Sequence, residues 1–278
     1  MTGDLTLALV WLFASKRRMH ELLMIAALGL IEGITEFLPI SSTGHLLIAE
    51  HFWGKQSDLF NAVIQCGAVL AVVLIYQARI RSLVFGWREK ASQEYLLKLG
   101  VAFFITGSVG LVLKKLGLKL PHDPKPVAVA TLVGGVLFVV VERWLKGRPA
   151  TDEVTWKVAA AIGAAQLLAP IFPGASRSGT TILMALALGL SRPAAAEFSF
   201  LLGIPTLLSV GGLEIFHAVR HPEAGSVNWG LLGLGTAVAA VTAFIAVKWL
   251  LRYVQQHTFT GFGYYRIVVG AVILAVIR

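Results

Sequence analysis

The sequence predicts an all-α polytopic membrane protein that is an inverted repeat, with about six transmembrane helices and two broken, re-entrant helix pairs. Hydrophobic residues make up 56% of the 278 residues and charged residues only 14%. A typical soluble domain carries about 25% charged residues, so this chain lacks the polar coat that a soluble globule needs. Cys66 is the single cysteine, which excludes an internal disulfide and a cysteine-based metal site.

Six apolar stretches are predicted to be plain membrane spans. A spanning helix needs about 20 largely apolar residues; five stretches meet this need, and a sixth, shorter one ends the chain. The predicted spans are 58–78, 95–113, 126–145, 194–216, 229–251 and 262–277. Only short polar loops join them, so residues 19–278 are predicted to form a single membrane domain.

Residues 1–18 are predicted to be an N-terminal extension of unknown role. Their apolar run, 5–14, is too short to span a bilayer, and its basic residues follow it, whereas those of a signal peptide come first. Either this segment is a peripheral extension or translation begins at Met19.

Two further apolar regions, 20–53 and 154–190, are each interrupted by a segment rich in proline, glycine and serine. Irregular backbone at membrane depth is tolerated only where it is buried in protein or lines a water-filled cavity. Both regions are therefore predicted to be re-entrant.

These two interrupted regions also resemble each other. Four residue pairs match, the first three at identical spacing and the last after one inserted residue: Gly29 with Gly163, Glu32 with Gln166, Pro39 with Pro173, and Gly44 with Gly179. Residues 20–113 and 154–251 therefore form two halves of a repeat. Because three spans separate the interruptions, the loops are expected to enter from opposite faces, and paired broken helices of this kind point to the functional site.

The net charge of +9 is interpreted as a topology and lipid-contact signal. Most lysines and arginines lie between apolar spans, where they set orientation and meet anionic headgroups, so nucleic acid is not a predicted partner. The basic residues divide eleven to ten between the two faces, or eleven to seven without residues 16–18. This count modestly favours a cytoplasmic position for the loop 79–94.

Glu32 and Glu36 are the first candidate functional residues. They are four residues apart and so share one helix face, inside an apolar segment where ionisable groups mark functional sites by default. They are predicted to bind a divalent cation, Mg²⁺ or Ca²⁺, through oxygen ligands, or to handle protons. The alternative is a helix end at the interface, with both acids solvated.

The segment 39–45, PISSTGH, follows these acids and brings together the hydroxyls of Ser41, Ser42 and Thr43 with the imidazole of His45. A serine beside a histidine is the minimum for an activated hydroxyl nucleophile. Alternatively, the histidine itself attacks or protonates a leaving group. A hydroxyl helix cap with an incidental histidine is the structural alternative.

The segment 173–181, PGASRSGTT, is predicted to bind phosphate. Arg177 lies in a membrane region and needs an anionic partner, and the half-helix that follows adds backbone N–H donors. Close backbone approach and hydroxyl donors come from Gly174, Ser176, Ser178, Gly179 and Thr181. The segment lacks the G-K-[ST] of a Walker loop. Alternatively, Arg177 only neutralises Glu32, Glu36 or Glu197.

Together these elements supply what phosphoryl transfer requires, namely positioning and charge stabilisation, and the apolar surroundings indicate a phosphate attached to a lipid. Gln65 and Glu197 are weaker candidates for lining the cavity. Arg266 is expected to anchor the last span at the membrane interface.

The segments EGITEFLPISSTGH at 32–45 and PGASRSGTT at 173–181 resemble the two signature motifs of the undecaprenyl-diphosphate phosphatase family of bacterial inner membranes, the bacitracin-resistance type. The resemblance runs from about residue 19 to 278. It implies a membrane hydrolase that converts undecaprenyl diphosphate to undecaprenyl phosphate, recycling the lipid carrier of peptidoglycan synthesis and conferring bacitracin resistance. It also implies a site that opens to the periplasmic face.

The resemblance further implies roles for individual residues. Glu32 and Glu36 match an acidic motif tied to Mg²⁺ or Ca²⁺. Ser42 and His45 match the family's proposed nucleophile and general base, and Arg177 its phosphate-binding arginine. Hydroxyls around the phosphates correspond to Ser41, Ser176, Ser178 and Thr181. Direct attack by water with His45 as base is equally compatible.

Two other classes of function remain open from the sequence. Inverted repeats with broken helices are a transporter architecture, so the protein could carry a polyprenyl phosphate lipid without cleaving it. A helical scaffold without a site would leave three buried polar clusters unexplained. The sequence also leaves homo-oligomerisation open.

Overall fold

The computed structural model describes residues 2–115, 124–221 and 227–277, which form helices and one isolated β-bridge between Thr151 and Leu190. The helices are α1 (Thr2–Thr35), α2 (Ser42–Trp53), α3 (Asp58–Ile75), α4 (Gln77–Phe85), α5 (Lys90–Lys115), α6 (Pro124–Trp144), α7 (Trp156–Gln166), α8 (Leu168–Ile171), α9 (Arg177–Ala187), α10 (Arg192–Arg220), α11 (Trp229–Gln256) and α12 (Thr260–Val276). The predicted all-α class is confirmed.

Five of these helices are long and apolar enough to cross a membrane, namely α3, α5, α6, α10 and α11. They coincide with the five long predicted spans, and the shorter predicted stretch 262–277 is the 17-residue helix α12. Large apolar side chains such as Phe104, Val241 and Ile245 are more than 60% exposed on the outside of the bundle. A surface of this kind requires a lipid environment, as the composition predicts.

The predicted extension 1–18 has no separate fold in its described part. Helix α1 begins at Thr2 and runs without a break to Thr35, so residues 2–18 form its first half. Met1 lies outside the described residues, and the role of this segment stays a prediction.

Both predicted interruptions are helix breaks with the same local backbone. After α1 the chain makes a turn over residues 36–40 before α2 begins, and after α8 it turns again before α9 begins. Ser41 and Ser176 are the N-caps of α2 and α9, with φ angles of 72° and 70°, the only positive values among the described non-glycine residues. Each cap hydroxyl accepts a hydrogen bond from the backbone N–H three residues later, which is that of Gly44 for Ser41 and that of Gly179 for Ser176.

The two halves of the repeat exchange their last helices. Helix α11 of the second half packs on α1 of the first, and α5 of the first half packs on α7 of the second. Matching glycines lie at both crossings. A Cβ added to Gly29 would lie 2.4 Å from the carbonyl oxygen of Gly235, and one added to Gly163 would lie 2.6 Å from that of Ala102. Close backbone contact at small residues is how membrane helices associate.

Replacing Gly29 by alanine is expected to lower the free energy of unfolding by ~1–3 kcal/mol, because the added methyl group would overlap rigid backbone of α11. Thermal unfolding in detergent measures the effect. The control is Gly107→Ala in α5, where a Cβ meets nothing within 4 Å. Equal midpoints of thermal unfolding for the two variants would show that the α1–α11 crossing can accommodate a methyl group at position 29.

Helices α6 and α12 lie outside the repeat and pack against each other. Their crossing also uses small residues, since a Cβ on Gly135 would lie 2.6 Å from the Gly263 carbonyl oxygen and one on Gly270 would lie 2.8 Å from that of Ala128. This pairing brings α12 against both helix breaks.

Candidate active site

The two helix breaks meet inside the bundle. The Ser178 hydroxyl of the second break lies 3.1 Å from the carbonyl oxygens of both Glu36 and Leu38 in the first, and its single hydrogen is shared between them. Ser178 is completely buried. Two segments about 140 residues apart in the sequence therefore form one joint, as the repeat predicts.

The carboxylate of Glu36 is the centre of this joint. Its Oε1 accepts a hydrogen bond of 2.9 Å from Arg177 Nη2, and its Oε2 accepts one of 2.8 Å from the Ser42 hydroxyl. Ser42 and Arg177 are the first residues of α2 and α9, so they occupy equivalent positions in the two halves. One carboxylate thus binds one side chain from each half. The sequence predicted an acidic partner for Arg177, and in the structure that partner is Glu36.

Arg177 is held from several sides in addition to Glu36. Its Nη1 donates to the carbonyl oxygen of Ser199 at 3.3 Å, and its guanidinium lies 4.9 Å from the centre of the Phe37 ring. Its buried Nε has no hydrogen-bond partner among the described residues. The guanidinium is therefore fixed in place by groups from both halves of the repeat.

His45 lies beside the joint but has different partners from Ser42. Its Nδ1 is 2.8 Å from the Ser41 carbonyl oxygen, and its Nε2 is 2.8 Å from the hydroxyl of Tyr265 in α12. The structure does not pair Ser42 with His45; the Ser42 hydroxyl is bound to Glu36.

Glu32 lies one helical turn before Glu36, whose backbone N–H donates to the Glu32 carbonyl oxygen at 2.9 Å. Its side chain is completely buried, and neither carboxylate oxygen has a hydrogen-bond partner within the described residues. A buried carboxylate without partners is costly. A cation bound between Glu32 and Glu36 would remove that cost.

The described part of the chain contains no cluster of three or more histidine, cysteine, aspartate or glutamate side chains suited to a metal. A site with two carboxylates still fits Mg²⁺, which is commonly bound by one or two carboxylates together with phosphate oxygens of a substrate. Glu32 and Glu36 are thus compatible with a cation whose remaining ligands come from substrate and water.

Most of the other predicted substrate-binding residues shape the backbone of the joint. Ser41 and Ser176 cap helices, and the Thr181 hydroxyl lies 2.6 Å from that of Ser199. Gly174 has a φ of 99° and is so close to α6 that a Cβ would lie 2.2 Å from the Val127 carbonyl oxygen. These residues therefore fix the backbone conformation of the joint, and their hydroxyls are already engaged in hydrogen bonds within the protein.

Arg266 corrects the sequence interpretation most clearly. It was expected at the membrane interface, yet it is completely buried in α12. Its guanidinium donates to five carbonyl oxygens, at distances from 2.9 to 3.4 Å: those of Pro39, Ala130, Thr131, Gly174 and Ala175. These acceptors lie in the first break, in α6 and in the second break. Arg266 therefore ties both breaks to α6.

Comparison with known proteins identifies the family. The family described as bacitracin resistance protein BacA matches residues 25–272. The chain belongs to the BacA family. It is 48% identical over 257 residues to an undecaprenyl-diphosphatase of Xanthomonas axonopodis pv. citri, covering 92% of this chain and 97% of that protein. It is 50% identical over 250 residues to an undecaprenyl-diphosphatase of Rhizobium etli, covering 90% and 94%.

In this BacA-family protein a polar cavity of about 420 Å³ leads to the joint. Ser42, Thr43 and Pro173 line one part of it, and Lys55 and Asp58, near the loop between α2 and α3, line another. Gln65 also lines this cavity, as expected. Glu197 does not; its Oε1 accepts hydrogen bonds from Arg79 at 3.0 Å and from Tyr95 at 3.3 Å.

Sequence reasoning misplaced Arg266 at the membrane interface and gave no role to its neighbour in α12, Tyr265. One signal was available, because an arginine within a predicted span is a functional candidate by default. Tyr265 gave none, since it is 220 residues from His45 in the sequence.

Proposed function

We propose that this protein hydrolyses undecaprenyl diphosphate to undecaprenyl phosphate and inorganic phosphate, recycling the lipid carrier of peptidoglycan synthesis and conferring bacitracin resistance. The observation that carries the proposal is the Glu36 carboxylate, shared by a hydroxyl from one half and a guanidinium from the other. A nucleophile, its proton acceptor and an anion-binding group are thereby in direct contact. The names of the relatives support the same activity.

In the proposed reaction Arg177 binds the terminal phosphate and opposes its charge in the transition state. The Ser42 oxygen attacks the terminal phosphorus while its proton passes to Glu36, and undecaprenyl phosphate leaves. Water, which gives a proton to His45, then cleaves the phosphoserine and releases phosphate, while the serine oxygen takes its proton back from Glu36. A divalent cation, Mg²⁺ or Ca²⁺, held by Glu32 and Glu36 would neutralise diphosphate oxygens.

A one-step route, in which water attacks the phosphorus directly with His45 as base, gives the same products. Ser42 distinguishes the two routes. Trapping a phosphoserine at Ser42 would support the covalent route, and full activity in Ser42→Ala would exclude it.

The substrate's lipid character is supported by an apolar groove of about 660 Å³ between α6, α8 and α9. Its walls include Val133, Leu137, Leu168 and Leu183, and it reaches Arg266 beside the joint. We propose that the protein acts in the bacterial inner membrane. The cavity is lined by the N-terminal end of α3, whereas the loop 79–94 follows the C-terminal end of that helix. The basic-residue count therefore supports a periplasmic opening.

The test is phosphate release from undecaprenyl diphosphate by purified protein in detergent, with Mg²⁺ and with a chelator. We expect release that the chelator abolishes. The inverted repeat also favours a second candidate, a carrier of polyprenyl phosphate lipids. Folded protein that moves the lipid across vesicle membranes without releasing phosphate would replace hydrolysis by transport.

A further inference from the structure

Tyr265 belongs to neither half of the repeat, yet it contacts the candidate base. Its hydroxyl lies 2.8 Å from His45 Nε2, and the two rings are stacked, with centres 5.6 Å apart and planes 7° from parallel. The two rings are therefore nearly parallel, and the hydroxyl at the end of the phenol binds the edge of the imidazole.

These contacts determine which nitrogen of His45 carries the proton. The Ser41 carbonyl oxygen can only accept a hydrogen bond, so His45 Nδ1 must be the donor in that 2.8 Å contact. In the neutral ring Nε2 then has the lone pair, and the Tyr265 hydroxyl donates to it. Nε2 is consequently the atom at which His45 can take up a proton.

A tyrosine hydroxyl suits both protonation states of this nitrogen. It donates to neutral Nε2, and after Nε2 gains a proton it can rotate and accept from the new N–H. Tyr265 is 46% exposed, so burial does not force its hydroxyl to find a protein partner. The contact thus has a use beyond satisfying a buried polar group.

Hydrogen bonds of the neighbouring residues hold Tyr265 and His45 in place relative to each other. The next residue, Arg266, donates to the Pro39 carbonyl oxygen at 3.1 Å, which ties α12 to the break that precedes His45. On the other side, Ser41 caps α2 through its hydroxyl and holds His45 through its carbonyl oxygen.

We propose that Tyr265 is a positioning residue for His45, holding the ring with Nε2 as its proton acceptor while phosphate is released. This inference rests on the proposed function, in which His45 handles a proton of the attacking water. Tyr265 acts through His45 and not on the substrate itself.

The test compares two adjacent tyrosines. Tyr265→Phe keeps the stacked ring and removes only the hydroxyl. We expect kcat for phosphate release to fall ~10-fold or more, comparable to the effect of removing the hydrogen-bond partner of a metal-binding histidine, with KM and the thermal midpoint unchanged. Tyr264→Phe is the control, since its half-exposed hydroxyl instead accepts from Arg143 at 3.4 Å; we expect wild-type kcat.

A double-mutant cycle separates positioning from general stability. In a His45→Ala background, Tyr265→Phe should cause no further loss of kcat, because the residue through which it acts is gone. Wild-type kcat in Tyr265→Phe, or an undiminished effect in the His45→Ala background, would overturn the inference while leaving the proposed function intact. Wild-type protein that releases no phosphate would overturn both.

Discussion

Replacing Arg177 by lysine is expected to lower kcat/KM for undecaprenyl diphosphate by ~100-fold or more while the protein stays folded. The guanidinium binds Glu36 Oε1 at 2.9 Å through Nη2 and the Ser199 carbonyl oxygen at 3.3 Å through Nη1. A lysine ammonium is a single point charge and cannot make these contacts at once. Losing one donor to a developing oxyanion costs about 100- to 1,000-fold in rate.

Initial rates of phosphate release measure this loss, and thermal unfolding checks the fold. Arg252→Lys is the control, because Arg252 is exposed near the end of α11. If Arg177→Lys retained more than about a third of wild-type kcat/KM, Arg177 would not be the phosphate-binding group.

Arg266→Met is expected to have the largest effect on stability. It would remove one donor from five carbonyl oxygens, of which those of Ala130 and Thr131 lie inside α6 and that of Gly174 also accepts from the Thr131 hydroxyl. The carbonyl oxygens of Pro39 and Ala175 would have no other donor among the described residues. Each acceptor left unpaired costs ~1–3 kcal/mol, so we expect a loss of ~2 kcal/mol or more and little folded protein.

Arg266→Lys keeps the charge but offers donors at one point only, so it should fold with a lower thermal midpoint and reduced phosphate release. Arg252→Lys again serves as the control. A midpoint for Arg266→Lys equal to that of the control would mean that the joint of the two breaks does not depend on Arg266.

Much of the fold could be predicted because it depends on simple physical patterns. Length and hydropathy fix where a helix can cross a bilayer, and proline and glycine mark where it breaks. The match of Gly29 with Gly163 predicted the repeat, and each of these glycines lies at an equivalent helix crossing. An acidic partner for Arg177 was also predicted, since a buried guanidinium needs an anion, but only the structure selects Glu36 from Glu32, Glu36 and Glu197.

Other contacts could not be predicted because they depend on the geometry of the breaks. Ser42 is bound to Glu36 and not to His45 because Ser41, with a φ of 72°, turns the chain just before α2 begins. Arg266 lies six residues after the start of α12, a position that suggests a helix end near the interface. It is buried because α12 packs on α6 across small residues, a contact that the sequence does not reveal.

The central claim is that phosphate release takes place where the two breaks meet, at Glu36. The most direct measurement is kcat for phosphate release from undecaprenyl diphosphate by Glu36→Gln, which keeps the size of the side chain and removes its charge. The control is Glu214→Gln. Glu214 is half-buried and lies near the C-terminal end of α10, whereas Ser199, which contacts Arg177, lies near the N-terminal end.

We predict that Glu36→Gln loses ~100-fold or more of kcat, because it removes both the acceptor of the Ser42 proton and the partner of Arg177, while Glu214→Gln stays close to wild type. Near wild-type release by folded Glu36→Gln protein would contradict the account and place the chemistry elsewhere in the molecule.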